Sequence, residues 1–273
     1  MLSKSEQLTS LLRGYGRTLV AYSGGVDSAY LAKMAHDVLG ADALAVIADS
    51  PSLPRRELDE ALAVGRQFGF PVRVIKTDEM SDPNYVINPA NRCYFCKSEL
   101  FDELTKIARA EGWQTILYGE NASDVGDFRP GTKAAVEFRV RAPLKEVGMT
   151  KQEIRDLSAR LGLPTADKPQ MACLSSRIPH GDPVTVEALA MIEAAENVLR
   201  DAGFRDVRVR HHRTVARIEV GAEELPRLLD EELREFVTKA LKEIGYVHVT
   251  VDLQGYRRGG ADQTIIKVEE GIV

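Results

Sequence analysis

Apolar residues follow two rhythms along the first half of the chain, and their alternation predicts the fold. Residues 17–23 (RTLVAYS), 43–50 (ALAVIADS), 72–78 (VRVIKTD) and 114–121 (QTILYGEN) are short, nearly continuous apolar runs that end in polar residues. Such runs are the pattern of buried parallel strands. Between them DSAYLAKMAHDVLG, PRRELDEALAVGRQFG and CKSELFDELTKIARAEG place apolar residues at helical spacing and close on Gly40, Gly69 and Gly112, near the expected C-caps. Strand–helix alternation predicts an α/β fold on a doubly wound, mostly parallel, Rossmann-like sheet. Ligands in such sheets bind beyond the carboxyl ends of the strands. Ser23, Asp49, Asp78 and Glu120 sit there.

A further helix is expected from Thr150, with Glu153 completing a capping box, to Gly162. After it comes the proline-rich stretch TADKPQMACLSSRIPHGDP, which has no periodicity. Irregular stretches of that length are usually functional or linkers. The domain boundary is placed near its end, giving domains of residues 1–180 and 181–273. The second reads as a helix (185–202), strands RDVRVRHH and TVARIEV, a helix (231–244) and a strand YVHVTVDL, a smaller α+β domain with a modest core.

Composition narrows the classes. Of 273 residues 44% are apolar and 28% charged, and 41 acidic against 36 basic residues leave a net charge of −5. A dedicated nucleic-acid binder would be strongly basic, so no nucleic-acid partner is expected. No apolar run approaches the ~18 residues that span a bilayer, and the N-terminus lacks a secretory signal, so no membrane partner is expected. Three cysteines are not a disulfide framework. A reducing cytoplasm is the expected compartment, where clustered thiols bind metal or react.

The sharpest motif is SGGVDS: Ser23, Gly24, Gly25, Val26, Asp27 and Ser28 lie directly after a strand and before a helix. Two glycines let the backbone turn and present N–H groups, and the helix N-terminus adds its dipole, which together suit an anion. The serines can donate to phosphate oxygens, and Asp27 can hold a Mg²⁺ on a polyphosphate. A plain glycine turn with a Ser or Asp cap would not specify six residues in that context. The motif is not a Walker A loop, because no Gly-Lys-Ser/Thr follows. It resembles the PP-loop of the ATP pyrophosphatase superfamily. That resemblance implies that ATP is cleaved to AMP and pyrophosphate, with residues 23–28 on the pyrophosphate end and Asp49 and Ser50 near the nucleotide.

The second motif is CYFC, Cys93 and Cys96, together with Cys173 in MACLSSRIPHG. A bare CxxC serves zinc, iron–sulfur clusters and redox pairs alike, and buried unreactive cysteines are also common. Structural zinc wants four N/S ligands, and only His180 or the His211–His212 pair could add a fourth. Three thiolates with one open position suit a [4Fe–4S] cluster whose unique iron takes an outside ligand. The third motif is RDVRVRHHR. As a strand it sets Arg208, Arg210 and His212 on one face, where arginines could bind a phosphate or simply form a solvated edge. Glu196 is a candidate to orient them, and Arg177 a candidate carboxylate or phosphate contact. Trp113 reads as packing ahead of a strand.

GENASDVGDFRPGTKAA, RAPLKEVGMTKQEIRDLSARLGLPTADKPQMACLSSRIPHG and DVRVRHHRTVARIEV are similar to the LarE family, ATP-dependent sulfur transferases of nickel-pincer cofactor biosynthesis. The resemblance runs from about residue 17 to 258. It implies a substrate that is a pyridinium mononucleotide with two carboxylates. ATP adenylates one of them, and a sulfur nucleophile converts it to a thiocarboxylate. One branch of the family spends a single cysteine, matching Cys173, as the sulfur donor. The other holds a [4Fe–4S] cluster on three cysteines, and Cys93, Cys96 and Cys173 resemble that branch. The resemblance also favours Arg208 and Arg210 as phosphate contacts, and a homo-oligomer is expected. The external sulfur source is left open. The tail after Gly259-Gly260 departs from the family pattern. Three rivals stand beside this reading: a tRNA thiolase, which should carry a basic RNA-binding appendage; an amidating synthetase, which needs no cysteine trio; and a nucleotide-binding regulator without turnover.

Overall fold

A computed structural model describes residues 2–124, 130–169 and 172–257. The chain divides into two compact units, Met1–Tyr85 with Ala90–Met171, and Val86–Pro89 with Ala172–Val273.

In the first unit the elements run α1 (Lys4–Arg13), β1 (Thr18–Ala21), α2 (Val26–Leu39), β2 (Ala43–Asp49), α3 (Arg55–Phe68), β3 (Val72–Lys76), a single turn α4 (Pro83–Val86), α5 (Arg92–Glu111), β4 (Thr115–Tyr118), α6 (Pro130–Glu137), α7 (Pro143–Glu146) and α8 (Lys151–Arg160). The strands form a parallel sheet in the order β3-β2-β1-β4, as strand–helix alternation predicts. Register explains the two-sided burial. Val20 lies beside Ala45 and Leu117 and packs with α1, α2 and α3 on one face. One residue earlier, Leu19 lies beside Ile116 and packs with Phe101 and Leu104 of α5 and with α6 on the other. Period-two side chains with helices on both faces favour apolar residues on both sides of the central strands.

Two local expectations change. β3 reads as buried but is the edge strand, and its Val74 is 41% exposed. Helix α5 starts at Arg92, four residues before the periodic pattern, so both CYFC cysteines lie in its first turns. It stops at Gly112, whose φ of 73° is the left-handed cap that a side chain disfavours. The capping box at α8 forms as read: Thr150 accepts from the Glu153 N–H, and Glu153 accepts from the Thr150 N–H at 2.8 Å.

In the second unit a 3₁₀ turn (Leu174–Arg177) precedes α9 (Val186–Asp201), β5 (Val207–His212), β6 (Val215–Val220), a 3₁₀ stretch (Ala222–Leu229), α10 (Glu231–Ile244) and β7 (His248–Val251). β5 pairs antiparallel with β6, and β6 pairs parallel with β7. Val207 and Val209 enter a core with Leu199, Ile218, Val237 and Leu241. Residues 86–89 belong here because Asn88 is sewn in: its Nδ2 donates to the carbonyls of Pro179 (2.7 Å) and Asp182 (2.9 Å). Among the described residues no helix is long and apolar enough to cross a membrane.

Candidate nucleotide loop and cysteine turn

Residues 23–28 leave the carboxyl end of β1 and turn into α2. Ser28 ties the loop to itself: its hydroxyl donates to the Gly25 carbonyl (3.1 Å) and accepts from the Ser23 N–H (3.2 Å). The Ser23 and Ser28 hydroxyls are 3.1 Å apart. Gly24 holds φ +71°, and a Cβ there would sit 2.7 Å from Cβ of Ala61 on α3. Gly25 is the N-cap and brings no side chain to the first N–H groups of α2. Such donors, with the helix dipole, suit an anion.

Parallel pairing of β1 with β4 brings the end of β4 beside this loop. A Cβ on Gly119 would meet the Ser28 nitrogen at 2.9 Å, so only glycine lets the two backbones pass. Next to it Asp27 receives Lys151 Nζ on Oδ2 at 2.5 Å. Its other oxygen, Oδ1, is buried without a hydrogen bond of good geometry, as is the Asn121 amide nitrogen. Burial pushes the Asp27 carboxyl above its ordinary pKa, opposed by Lys151 and aided by the charge of Asp124. A buried carboxylate oxygen without a well-aligned hydrogen bond suits a divalent cation on a bound polyphosphate. The chemistry of this corner therefore suits Mg²⁺ and ATP.

At the end of β2, Asp49 is engaged by Arg55. Ser50 is buried in a chain of hydroxyls: its Oγ lies 2.9 Å from Ser52 Oγ, which donates to Glu79 at 2.8 Å. Tertiary folding thus brings Ser23–Ser28, Asp49 and Ser50 to the carboxyl ends of two neighbouring strands. It adds Asn121, Asp124, Lys151 and Glu79, whose roles the sequence reading missed. Only the position of GEN at a strand end could have pointed to Asn121. Lys151 reads in the sequence as a helix start and nothing more. Trp113 packs beside the α5–α6 cluster with the Arg17 guanidinium 4.4 Å from its ring centre.

The three cysteines are divided between the units. Cys93, exposed, and Cys96, half-buried, are three residues apart at the start of α5. Helical spacing puts both on one side. Cys173, half-buried, is the N-cap of the 3₁₀ turn in the second unit. Among the described residues of either unit no three His, Cys, Asp or Glu side chains are grouped to hold a metal. By donor chemistry three thiolates suit an iron–sulfur cluster.

Around Cys173 the arginines are buried. Arg177 is 1% exposed and makes a bidentate pair with Glu196 at 2.8 and 3.0 Å. Its Nη1 donates to the carbonyls of Ala172 (2.6 Å) and Cys173 (3.0 Å) and to Ser176 Oγ (3.0 Å). Glu196 also accepts from the Val209 N–H at 3.1 Å and from Arg200 at 3.3 Å. Burial raises its pKa, but Arg177, Arg208 and Arg200 outweigh burial and hold it below the ordinary value. Glu196 pairs directly with Arg177, and the charge of Arg208 also acts on it. Arg210 is held by Glu219 at 2.9 and 2.8 Å and donates to the Ser176 carbonyl at 2.9 Å. Arg208 is 4% exposed, 4.8 Å from the Tyr256 ring centre, and burial lowers its pKa. The strand is therefore no solvated edge at Arg208 and Arg210. The tail beyond Arg257 and the middle of GENASDVGDFRPGTKAA, residues 125–129, lie outside the described residues.

No family model matches the chain. An uncharacterized protein of Synechocystis sp. is 43% identical over 97% of this chain and 99% of its own length. The pyridinium-3,5-bisthiocarboxylic acid mononucleotide synthase of Lactiplantibacillus plantarum is 35% identical over 98% of this chain and 97% of its own length. A glutamine-hydrolyzing GMP synthase of Lactobacillus delbrueckii subsp. bulgaricus is 28% identical over 55% of this chain and 32% of its own length.

Proposed function

Because the chain belongs to the LarE family, we propose that it is an ATP-dependent sulfur transferase acting on a pyridinium dicarboxylate mononucleotide in the cytoplasm. The observation that carries the reading is the Asp27 corner, a strand-to-helix glycine loop beside a buried carboxylate oxygen that makes no well-aligned hydrogen bond. Near-full-length similarity to a named bisthiocarboxylate mononucleotide synthase supports the choice of substrate.

The proposed sequence of events uses these residues in order. The N–H groups of Gly25, Val26 and Asp27 and the hydroxyls of Ser23 and Ser28 hold the β- and γ-phosphates, and Asp27 would hold Mg²⁺, which would neutralise phosphate charge. Asp49 and Ser50 lie towards the nucleoside. A substrate carboxylate oxygen attacks the α-phosphorus, the bond to the β-phosphate oxygen breaks, and pyrophosphate leaves. Sulfide then attacks the acyl carbon, and AMP leaves with the oxygen, giving a thiocarboxylate. Holding both reactants supplies the rate through positioning. Arg208 supplies a cation for the substrate phosphate, and Arg210, paired with Glu219, backs it. Cys93, Cys96 and Cys173 would hold a [4Fe–4S] cluster, which when bound supplies the sulfide at its open iron.

Three measurements test this. Protein purified without oxygen should be brown and carry about four irons per chain. ATP with the pyridinium dicarboxylate mononucleotide should release pyrophosphate and yield a thiocarboxylate, and Cys96→Ser should abolish the thiocarboxylate. Thiocarboxylate formed in the absence of iron, at most once per chain and with Cys173 converted to dehydroalanine, would assign the sacrificial-cysteine reaction instead. No release of pyrophosphate would overturn the reading.

A further inference from the structure

We infer that Arg177 and Arg210 form a clamp that positions the Cys173 turn, and that Arg177 does not touch substrate. The inference rests on Cys173 being a residue of the sulfur site, as proposed above. Its grounds lie wholly within the second unit.

The two guanidiniums are wired alike. Each gives Nε and Nη2 to the two oxygens of one buried glutamate, Arg177 to Glu196 and Arg210 to Glu219. Fork-on-fork pairing fixes the plane of a guanidinium and leaves Nη1 pointing in a set direction. In both cases Nη1 meets the same short turn. Arg177 takes the carbonyls of Ala172 and Cys173 and the Ser176 hydroxyl. Arg210 takes the Ser176 carbonyl.

Those acceptors flank Cys173 on both sides. At the turn the Ser176 N–H donates to the Cys173 carbonyl at 3.0 Å and the Ile178 N–H to the Ser175 carbonyl at 3.2 Å. A 3₁₀ turn of four residues has little stability of its own. External donors must therefore hold its carbonyls, and charge-assisted ones do so most strongly. Glu196 completes the frame by accepting the Val209 N–H, which ties α9 to β5 behind the turn.

Burial together with its donor inventory excludes Arg177 as a substrate contact. A guanidinium has five N–H donors. For Arg177 the Nε donor, both Nη1 donors and one Nη2 donor face protein acceptors, and its side chain is 0% exposed. The sequence neighbourhood suggested a ligand because Arg177 lies just past Cys173. Its real task is to hold that neighbour still. Arg177 is a positioning residue.

The test uses the full chain and compares Arg177→Lys, the charge-neutral pair R177Q/E196Q and Arg208→Gln with wild type. An ammonium keeps the charge beside Glu196 but cannot grip both carboxylate oxygens and two carbonyls at once. Expected for Arg177→Lys is hydrogen exchange in residues 172–177 faster by about tenfold, the factor of one lost charge-assisted hydrogen bond. Its kcat should fall, while KM and the calorimetric affinity for the pyridinium dicarboxylate mononucleotide stay unchanged. The neutral pair keeps the test alive should the lysine variant fold poorly, and it should show the same local loosening. Arg208→Gln should do the reverse, weakening nucleotide affinity with exchange at 172–177 unaltered. Unchanged exchange in both Arg177 variants overturns the clamp. A weakened nucleotide affinity in Arg177→Lys overturns the exclusion of Arg177 from the substrate. If wild type fails to bind the nucleotide, the proposed function falls, and hydrogen exchange alone still decides the clamp.

Discussion

The two glycines of SGGVDS look equivalent in sequence and should behave differently when each is changed to alanine. Gly24 sits at φ +71°, a conformation that costs a side-chain-bearing residue about 1–2 kcal/mol. Its new Cβ would lie 2.7 Å from the Ala61 Cβ and 3.5 Å from the Ala61 Cα, on a helix that cannot swing aside as a long side chain can. Overpacking of that kind adds about 1–3 kcal/mol. Together Gly24→Ala should cost about 2–5 kcal/mol, a fall of at least about 4 °C in melting temperature for a unit of this size. Gly25 has φ −82°, and its Cβ would meet only Ser23 Oγ, at 3.6 Å. Gly25→Ala should therefore melt within about 0.5 kcal/mol of wild type. The assay pairs thermal melts with calorimetric titration of Mg²⁺ and a non-hydrolysable ATP analogue. Gly24→Ala should lose analogue binding because the loop is pushed off α3. A Gly24→Ala protein that melts and binds like wild type, or a Gly25→Ala protein as unstable as Gly24→Ala, refutes the reasoning.

Other outcomes follow from single contacts. Lys151→Met leaves the buried Asp27 carboxylate without its cation, and Asp27→Asn in the same chain should recover part of the loss; a double-mutant cycle of melts should show coupling of about 1–3 kcal/mol. Glu153 is held at about 2 by Lys4 and by the Thr150 N–H and hydroxyl. Its folded value is depressed, so its contribution is present above about 4.5 and fades as pH falls towards 2; the melting difference between wild type and Glu153→Gln should shrink over that window. Burial lowers the pKa of His211, which touches the Tyr246 hydroxyl at 3.1 Å. The neutral ring is favoured on folding, so stability is greatest above about 6.5 and is lost as pH falls below it. Acidification from about pH 7.5 to about 5.5 should lower the melting temperature of wild type more than that of His211→Gln.

The pattern of apolar positions by itself determined the parallel sheet, because strands covered on both faces favour apolar residues on both sides, as at Leu19 and Val20. It also determined the caps, since Gly112 and the Thr150–Glu153 box act within a few residues. SGGVDS was legible for the same reason: six neighbours make the loop and its helix N-terminus. β3 escaped because the sequence does not say which strand is at the edge, and only strand order leaves Val74 half in water. Partners distant in sequence escaped as well. Lys151 meets Asp27, and Gly119 lets Ser28 pass, only because β4 lies beside β1. The arginines of β5 show the same limit most clearly. Alternation placed Arg208 and Arg210 on one face, but a charge pattern cannot tell a solvated edge from a buried ion pair. That distinction depends on where Glu196 and Glu219 fall in space, and the tertiary structure put Arg177 and Arg210, each locked to its glutamate, around Cys173.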